Sequence, residues 1–179
     1  MRNTKQKPAM RASSSNGIEI SWGCHQNPAT MPEDELIKAW SSEVLTGSGL
    51  GSADVSVSIR IVSSEEMTSL NSEFRSIKAP TNVLSFPMET ESDEGRRLLG
   101  DIAICADVVI AEAQKQGKSV NAHFAHMLVH GILHLRGFDH LEDHQALKME
   151  QIEVDILRTM GFPNPYKYPD RMSCEEDLQ

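Results

Sequence analysis

The stretch that decides the fold is residues 120–135, VNAHFAHMLVHGILHL. It is apolar almost all round apart from its histidines, and a helix with that pattern is usually buried in the middle of a domain. Gly137 follows two residues later and is expected to stop the helix, because glycine tolerates the backbone conformation that ends one. We therefore expect the rest of the domain to pack around this helix.

The segments around the central helix show strand and helix patterns. Apolar and polar residues alternate most clearly in VSVSIRI, and short apolar runs elsewhere also indicate strands, so that four are predicted, at 18–22, 55–61, 83–86 and 98–105. Pro87 is expected to end the third strand. Four further helices are predicted, one opening at Pro32 and the others at about 63–74, 106–115 and 142–160. The order of elements predicts an α+β fold, with a small mixed four-stranded sheet packed with about five helices.

Length and composition predict one domain between two loose ends. Residues 1–17 are polar and basic and are expected to form a disordered arm; residues 18–168 form the single domain, and 169–179 form a loose acidic tail. The net charge of −9 argues against nucleic-acid binding by bulk charge, so such a function needs a local basic patch. Three scattered cysteines and the lack of a long apolar run predict a cytoplasmic protein without membrane segments.

Three histidines in HGILHLRGFDH have the spacing of metal ligands. His130 and His134 are four residues apart and share a helix face, and the turn at Gly137 can bring His140 back as a third ligand. Three nitrogens leave a fourth tetrahedral position open for water, as in a catalytic zinc site, and zinc lowers the pKa of that water towards 7. Three ordinary histidines are the competing interpretation, but unpaired imidazoles on a buried helix are costly. We predict one zinc ion per chain.

The spacing HxxxHxxGxxH is that of metzincin proteases, which gives the predicted fold a zincin-like centre. In those enzymes a glutamate follows the first histidine and acts as the general base. Gly131 occupies that position here, which argues against a protease of that type. No other general base is evident, so the attacking group is either zinc-bound hydroxide or a hydroxyl group of the substrate itself. Histidines 123 and 126 lie near the same helical face, and we expect a structural or partly exposed role for them.

The histidine motif resembles the signature of the YbeY family, the bacterial endoribonucleases and rRNA maturation factors. Two further segments resemble the family in the same order along the chain, LNSEFR with PTNVLSFP at 70–87 and LGDI at 99–102. The resemblance extends over about residues 18–168. One departure is Asn82, where the family usually has aspartate.

The resemblance implies that the three histidines bind zinc and that Arg75 is the family's functional arginine. It also implies single-strand endonucleolytic cleavage of RNA, in 3′-end maturation of 16S rRNA and in ribosome quality control. The implied partners are the 16S rRNA precursor, the small ribosomal subunit and assembly factors such as an Era-like GTPase.

The basic residues before the third strand have their own chemical interpretation. The guanidinium of Arg75 can hold a phosphate through two parallel hydrogen bonds, and Lys78 is a second candidate for substrate binding. The sequence context alone favours a surface arginine in a solvated loop, and only the resemblance favours a functional role for Arg75. A local basic strip could be completed by Arg60, Arg96, Arg97 and Arg136. Asp139 is expected to cap the last helix or to orient a histidine ligand.

Two other functions remain open on the sequence. The first is another zinc hydrolase, including a metalloprotease-like enzyme, which Gly131 opposes. The second is a non-catalytic binding factor in ribosome assembly whose zinc is structural, which the open fourth coordination position opposes.

Overall fold

A computed structural model describes most of the predicted domain, at residues 17–24, 30–47, 55–91, 97–138 and 143–167. The predicted basic arm lies outside these ranges except for Gly17, and the predicted acidic tail lies outside them altogether. His140, Asp139 and Arg96 also fall outside the described residues, so the expectations for them stay predictions.

The described residues form four strands and five helices, as predicted. In chain order they are β1 (Gly17–Trp22), α1 (Asp34–Thr46), β2 (Val55–Val62), α2 (Ser64–Arg75), β3 (Val83–Glu91), β4 (Arg97–Cys105), α3 (Ala106–Lys115), α4 (Val120–Leu135) and α5 (Asp143–Thr159). Ser63 accepts a hydrogen bond from the backbone N–H of Glu66 and so caps the start of α2. None of the helices in the described ranges has the length and apolar character needed to cross a bilayer.

The sheet is mixed, with the strand order β1-β2-β4-β3. β1 and β4 both pair in parallel with β2, whereas β3 pairs antiparallel with β4. In β2, Val55, Val57, Ile59 and Ile61 are buried and the polar residues between them are more accessible, which is the two-residue period of a strand with one covered face. The α+β class with a small mixed sheet is therefore confirmed.

The prediction that Pro87 ends the third strand is wrong. β3 continues through Pro87 to Glu91, with a register shift between Pro87 and Thr90. β3 is an edge strand, and a proline there removes no hydrogen bond from the ladder when its missing N–H faces away from the neighbouring strand. The sequence of β3 alone does not reveal that it lies at an edge.

Opposite Pro87, Gly100 occupies a position that other residues cannot take without strain. Its φ is +137°, and an added Cβ atom would lie 2.1 Å from the carbonyl oxygen of Phe86. We expect Gly100→Ala to lower the free energy of unfolding by about 2–3 kcal/mol, because both the backbone and the strand pairing must shift. Urea unfolding measures this difference. Gly117→Ala is the matched control, because Gly117 also has positive φ but has no atom within 4 Å of the added Cβ. The free energy of unfolding should therefore decrease clearly less in Gly117→Ala than in Gly100→Ala.

α4 is the central element of the domain. It packs against β3, β4, α1, α3 and α5, and Phe124, Leu128, Ile132 and Leu133 on it are completely buried. Ser119 caps its first turn by accepting a hydrogen bond from the N–H of Ala122, and Gly137 returns a hydrogen bond to His134 at its end. The predicted buried central helix is confirmed, and it carries His130 and His134 on the face turned towards α5 and the edge of the sheet.

Candidate metal centre

α4 brings His130 and His134 together as the spacing predicts. Their Nε2 atoms are 3.0 Å apart, and their rings are nearly perpendicular, at 81°. Two nitrogens bound to one tetrahedral zinc, each at about 2.0–2.1 Å, are about 3.3 Å apart, so the pair is close to the spacing of two ligands. The His130 side chain keeps 27% of its surface exposed, which leaves a route from solvent.

The third predicted ligand, His140, lies outside the described residues. Within the described part of the chain, no third histidine, cysteine or acidic side chain completes a metal-binding group with His130 and His134. These two residues thus fit a metal-binding role, and the complete ligand set stays a prediction.

Behind His130 lies Glu153, a buried carboxylate that the sequence analysis did not single out. It projects from α5, is 0% exposed, and accepts a hydrogen bond from His130 Nδ1 at 2.8 Å. It also accepts from His126 Nε2 at 3.1 Å and from the hydroxyl of Tyr166. A signal was present in the sequence, because Glu153 interrupts the apolar face of the last helix, four residues after Met149 and three before Ile156.

The protonation of Glu153 follows from these contacts. Burial alone would raise the pKa of the carboxyl group, but the hydrogen bonds from His126 and His130, the charge of His126 and the hydrogen bond from Tyr166 together lower it to about 2. Burial, followed by the hydrogen bond to Glu153 and the charge of Glu153, raises the pKa of Tyr166 well above its usual range. Glu153 is therefore an ionised acceptor and Tyr166 a donor at neutral pH.

A second carboxylate–histidine pair, in which the histidine is buried and the carboxylate is partly exposed, lies further towards the start of α4. Glu112 of α3 accepts hydrogen bonds from His123 Nε2 at 2.7 Å and from the amide nitrogen of Asn82 at 3.1 Å. Burial lowers the pKa of His123 despite the opposing effect of Glu112. The Asn82 oxygen accepts from the N–H of Val83. The amide at position 82 thus supplies a donor to Glu112, which an ionised aspartate cannot do.

His130 and His134 open into a cleft of about 600 Å³ between α4, β3 and the end of α2. The described lining consists of Arg75, Thr81, Asn82, Val83, Ser85, Pro87, His130, His134, Gly137 and Phe138. Arg75 is exposed and is the last residue of α2. The buried Asn71 holds the following loop in place by donating a hydrogen bond to the carbonyl of Ala79 at 2.7 Å. The structure therefore places Arg75 and both histidines around one space.

The other basic residues considered in the sequence do not join Arg75 in the described lining of this cleft. Lys78 is exposed beyond it. Arg60 forms an ion pair with Glu66 at 2.6 Å and lines a different cavity, and Arg136 donates a hydrogen bond to the carbonyl of Leu45. Within the described residues, Arg75 is thus the cation that faces the candidate metal centre.

Gly131 faces the sheet. An added Cβ atom would lie 3.1 Å from Ile102 and 3.3 Å from the hydroxyl of Ser85, and that hydroxyl donates a hydrogen bond to the Gly131 carbonyl. The close packing of helix and strand is consistent with a residue that has no side chain. The carboxylate that metzincins carry at this position has no counterpart at residue 131.

Comparisons with known proteins agree with the resemblance found in the sequence. The family profile described as Endoribonuclease YbeY matches residues 24–161. A protein named Endoribonuclease YbeY from Alteromonas mediterranea is 47% identical over 136 residues, covering 76% of this chain and 85% of the relative. One of the same name from Colwellia psychrerythraea is 42% identical over 150 residues, covering 83% and 96%. A solution structure from Thermotoga maritima aligns with a TM-score of 0.49 and 25% identity, over 84% of this chain and 99% of the other. The chain belongs to the Endoribonuclease YbeY family.

Proposed function

We propose that this chain is a zinc-dependent endoribonuclease that cleaves single-stranded RNA. The observation that carries the proposal is the cleft, where Arg75 and the paired imidazoles of His130 and His134 face one space of about 600 Å³. Membership of a family named for endoribonuclease activity supports RNA as the substrate class.

The residues present fit a zinc ion. His130 and His134 would hold it together with His140, the third ligand that the sequence predicts. A zinc ion bound by three nitrogens supplies Lewis-acid chemistry and makes a water molecule acidic enough to ionise near pH 7. The exposure of His130 and the open cleft favour a site that substrate can enter over a closed structural one.

In this reaction the side chains of the protein bind the phosphate and stabilise the negative charge that develops on it. Arg75 can hold a phosphodiester through two parallel hydrogen bonds, and it can offset the negative charge that develops on the phosphorus oxygens. The amide of Asn82 and the hydroxyl of Ser85 line the same space as polar groups without charge. Lys78, just outside, is proposed to contact the RNA backbone further along the strand.

We further propose that the physiological substrate is the 16S rRNA precursor, which the protein cleaves near its 3′ end. We also propose that its cleavage of rRNA serves ribosome quality control. An acidic chain whose described cleft contains one arginine neutralises few phosphates, so its affinity for free RNA is expected to be low. Recognition then depends on RNA presented by the small ribosomal subunit, or by an assembly factor such as an Era-like GTPase.

The test is a cleavage assay with the purified protein on single-stranded RNA, the same RNA in a duplex, and a panel of peptides. We expect cleavage of the single strand, little cleavage of the duplex and none of the peptides. Removal of zinc by a chelator should stop cleavage, and added zinc should restore it. Peptide hydrolysis would instead support the metalloprotease-like alternative. Binding to the small subunit without any cleavage would support an assembly factor whose zinc is structural.

A further inference from the structure

The contacts of Glu153 constrain where the protons lie on its neighbours. One carboxylate oxygen, Oε2, has two partners, His126 Nε2 and the Tyr166 hydroxyl. The other oxygen, Oε1, has His130 Nδ1 at 2.8 Å. Three groups that can donate converge on these two oxygens, which is the arrangement that satisfies an ionised carboxylate. Such a group can only accept hydrogen bonds, so each partner must supply a proton.

This requirement selects one form of His130. A neutral imidazole carries one N–H, and if Nδ1 bears it, Nε2 has a free lone pair. In the structure, Nε2 is the atom that faces His134 Nε2 across 3.0 Å, on the side of the cleft. The hydrogen bond from Nδ1 to Glu153 thus leaves Nε2, the nitrogen that would bind a metal, without a proton.

We propose that Glu153 is a positioning residue, whose buried carboxylate holds the His130 ring in the Nδ1–H tautomer with Nε2 directed at the metal position. This inference rests on the proposed zinc site and extends it to a residue on a different helix, 23 positions along the chain. Because the side chain of Glu153 is completely buried and has three partners, it has little freedom to turn away from His130.

Tyr166 extends the same arrangement to the segment after α5. Its hydroxyl donates to Oε2, the carboxylate oxygen that His130 does not contact, and its own backbone N–H donates to the side chain of Asn164. The preceding carbonyl, that of Pro165, accepts a hydrogen bond from Lys118 at 2.6 Å, next to the start of α4. Glu153 is thus held by the packing of α4, α5 and this segment.

The variant Glu153→Gln keeps the size of the side chain but removes its charge and replaces one accepting oxygen with a donating NH₂ group. An amide has one accepting oxygen and one donating NH₂ group. The Oε2 side has two donors to satisfy, so the oxygen is expected to remain there and the NH₂ group to face His130. His130 Nδ1 must then accept, which transfers its proton to Nε2, the nitrogen needed for the metal.

The experiment measures two properties in wild type, Glu153→Gln and Glu112→Gln. The first is the zinc dissociation constant, obtained by competition with a chromophoric chelator. We expect it to rise by about 10- to 100-fold in Glu153→Gln. Glu112→Gln makes the same chemical change beside another buried histidine of α4, His123, and should leave zinc affinity within about twofold of wild type. Equal affinity in wild type and a folded Glu153→Gln would overturn the proposal.

The second property is the tautomer of His130 in the zinc-free protein, measured by long-range ¹H–¹⁵N correlation NMR at about pH 8, where an ordinary histidine is neutral. The His130 signals are assigned by their absence in His130→Gln. We expect a protonated Nδ1 and a bare Nε2 in wild type, and the reverse in Glu153→Gln. A protonated Nε2 in the wild type overturns the proposal even if the variant does not fold. If the wild type binds no zinc, the proposed function fails, but the tautomer measurement still decides the role of Glu153.

Discussion

His134→Ala is expected to lower RNA cleavage by about 10³-fold or more and to reduce bound zinc strongly. The paired Nε2 atoms of His130 and His134 are the described part of the proposed metal centre, and alanine at 134 removes one of them. The loss of several kcal/mol of transition-state stabilisation from a metal ion corresponds to about three decades in rate. Zinc content by elemental analysis and cleavage of a single-stranded RNA are measured on the same preparations.

The folded state should survive this change. His134 is only partly buried, at the cleft end of α4, whereas the apolar anchors of that helix lie on its other sides. His144→Ala is the matched control, because it removes an exposed histidine from α5 and should alter neither zinc content nor cleavage. Wild-type zinc content in the double variant His130→Ala/His134→Ala would end the metal hypothesis.

Local sequence patterns predicted most of the secondary structure. The boundaries of α3 and α4 agree with the predicted 106–115 and 120–135, because both depend on apolar periodicity and on nearby stop signals. The error at Pro87 has a different origin. Whether a proline fits in a strand depends on which neighbours the strand has, and the sheet order places β3 at an edge only after all four strands have assembled.

The candidate site also contains one feature that local sequence predicts and others that depend on tertiary packing. The pairing of His130 and His134 is local, since a spacing of four on a helix places two side chains on one face. Glu153 reaches His130 from another helix, and Glu112 reaches Asn82 from 30 residues away. Contacts of that kind arise from packing, and the sequence signal for Glu153 was one acidic residue within an apolar stripe. The role of that residue follows only from its contact with His130, which the sequence does not show.

Arg75 is intermediate between these cases. Its sequence context favours a solvated surface arginine, and the resemblance to the family was needed to favour a functional role. The structure adds that Arg75 lines the cleft that holds both histidines. Its position at the end of α2 depends on Asn71, which is buried and ties the loop after the helix to its last turns. A role for Arg75 is therefore testable separately from the metal.

Arg75→Ala is expected to leave zinc content unchanged and to reduce RNA cleavage by about 10²- to 10³-fold. Removal of a single group that stabilises developing charge in an active site has an effect of this size. Because Arg75 is exposed and ends its helix, the free energy of unfolding should change by no more than about 0.5 kcal/mol. Cleavage rate, zinc content and urea unfolding are measured together.

Two further variants show whether charge or geometry is needed at position 75. Arg75→Lys keeps the positive charge but loses the planar pair of donors, so we expect it to recover only part of the lost activity. Arg158→Ala removes an arginine that is 73% exposed on α5 and contacts Asp155, and it should cleave RNA as wild type does. If Arg75→Ala retains full activity while His134→Ala is inactive, the metal centre acts without this guanidinium. Arg75 is then a surface residue, and the phosphate must be held by groups outside the described cleft lining.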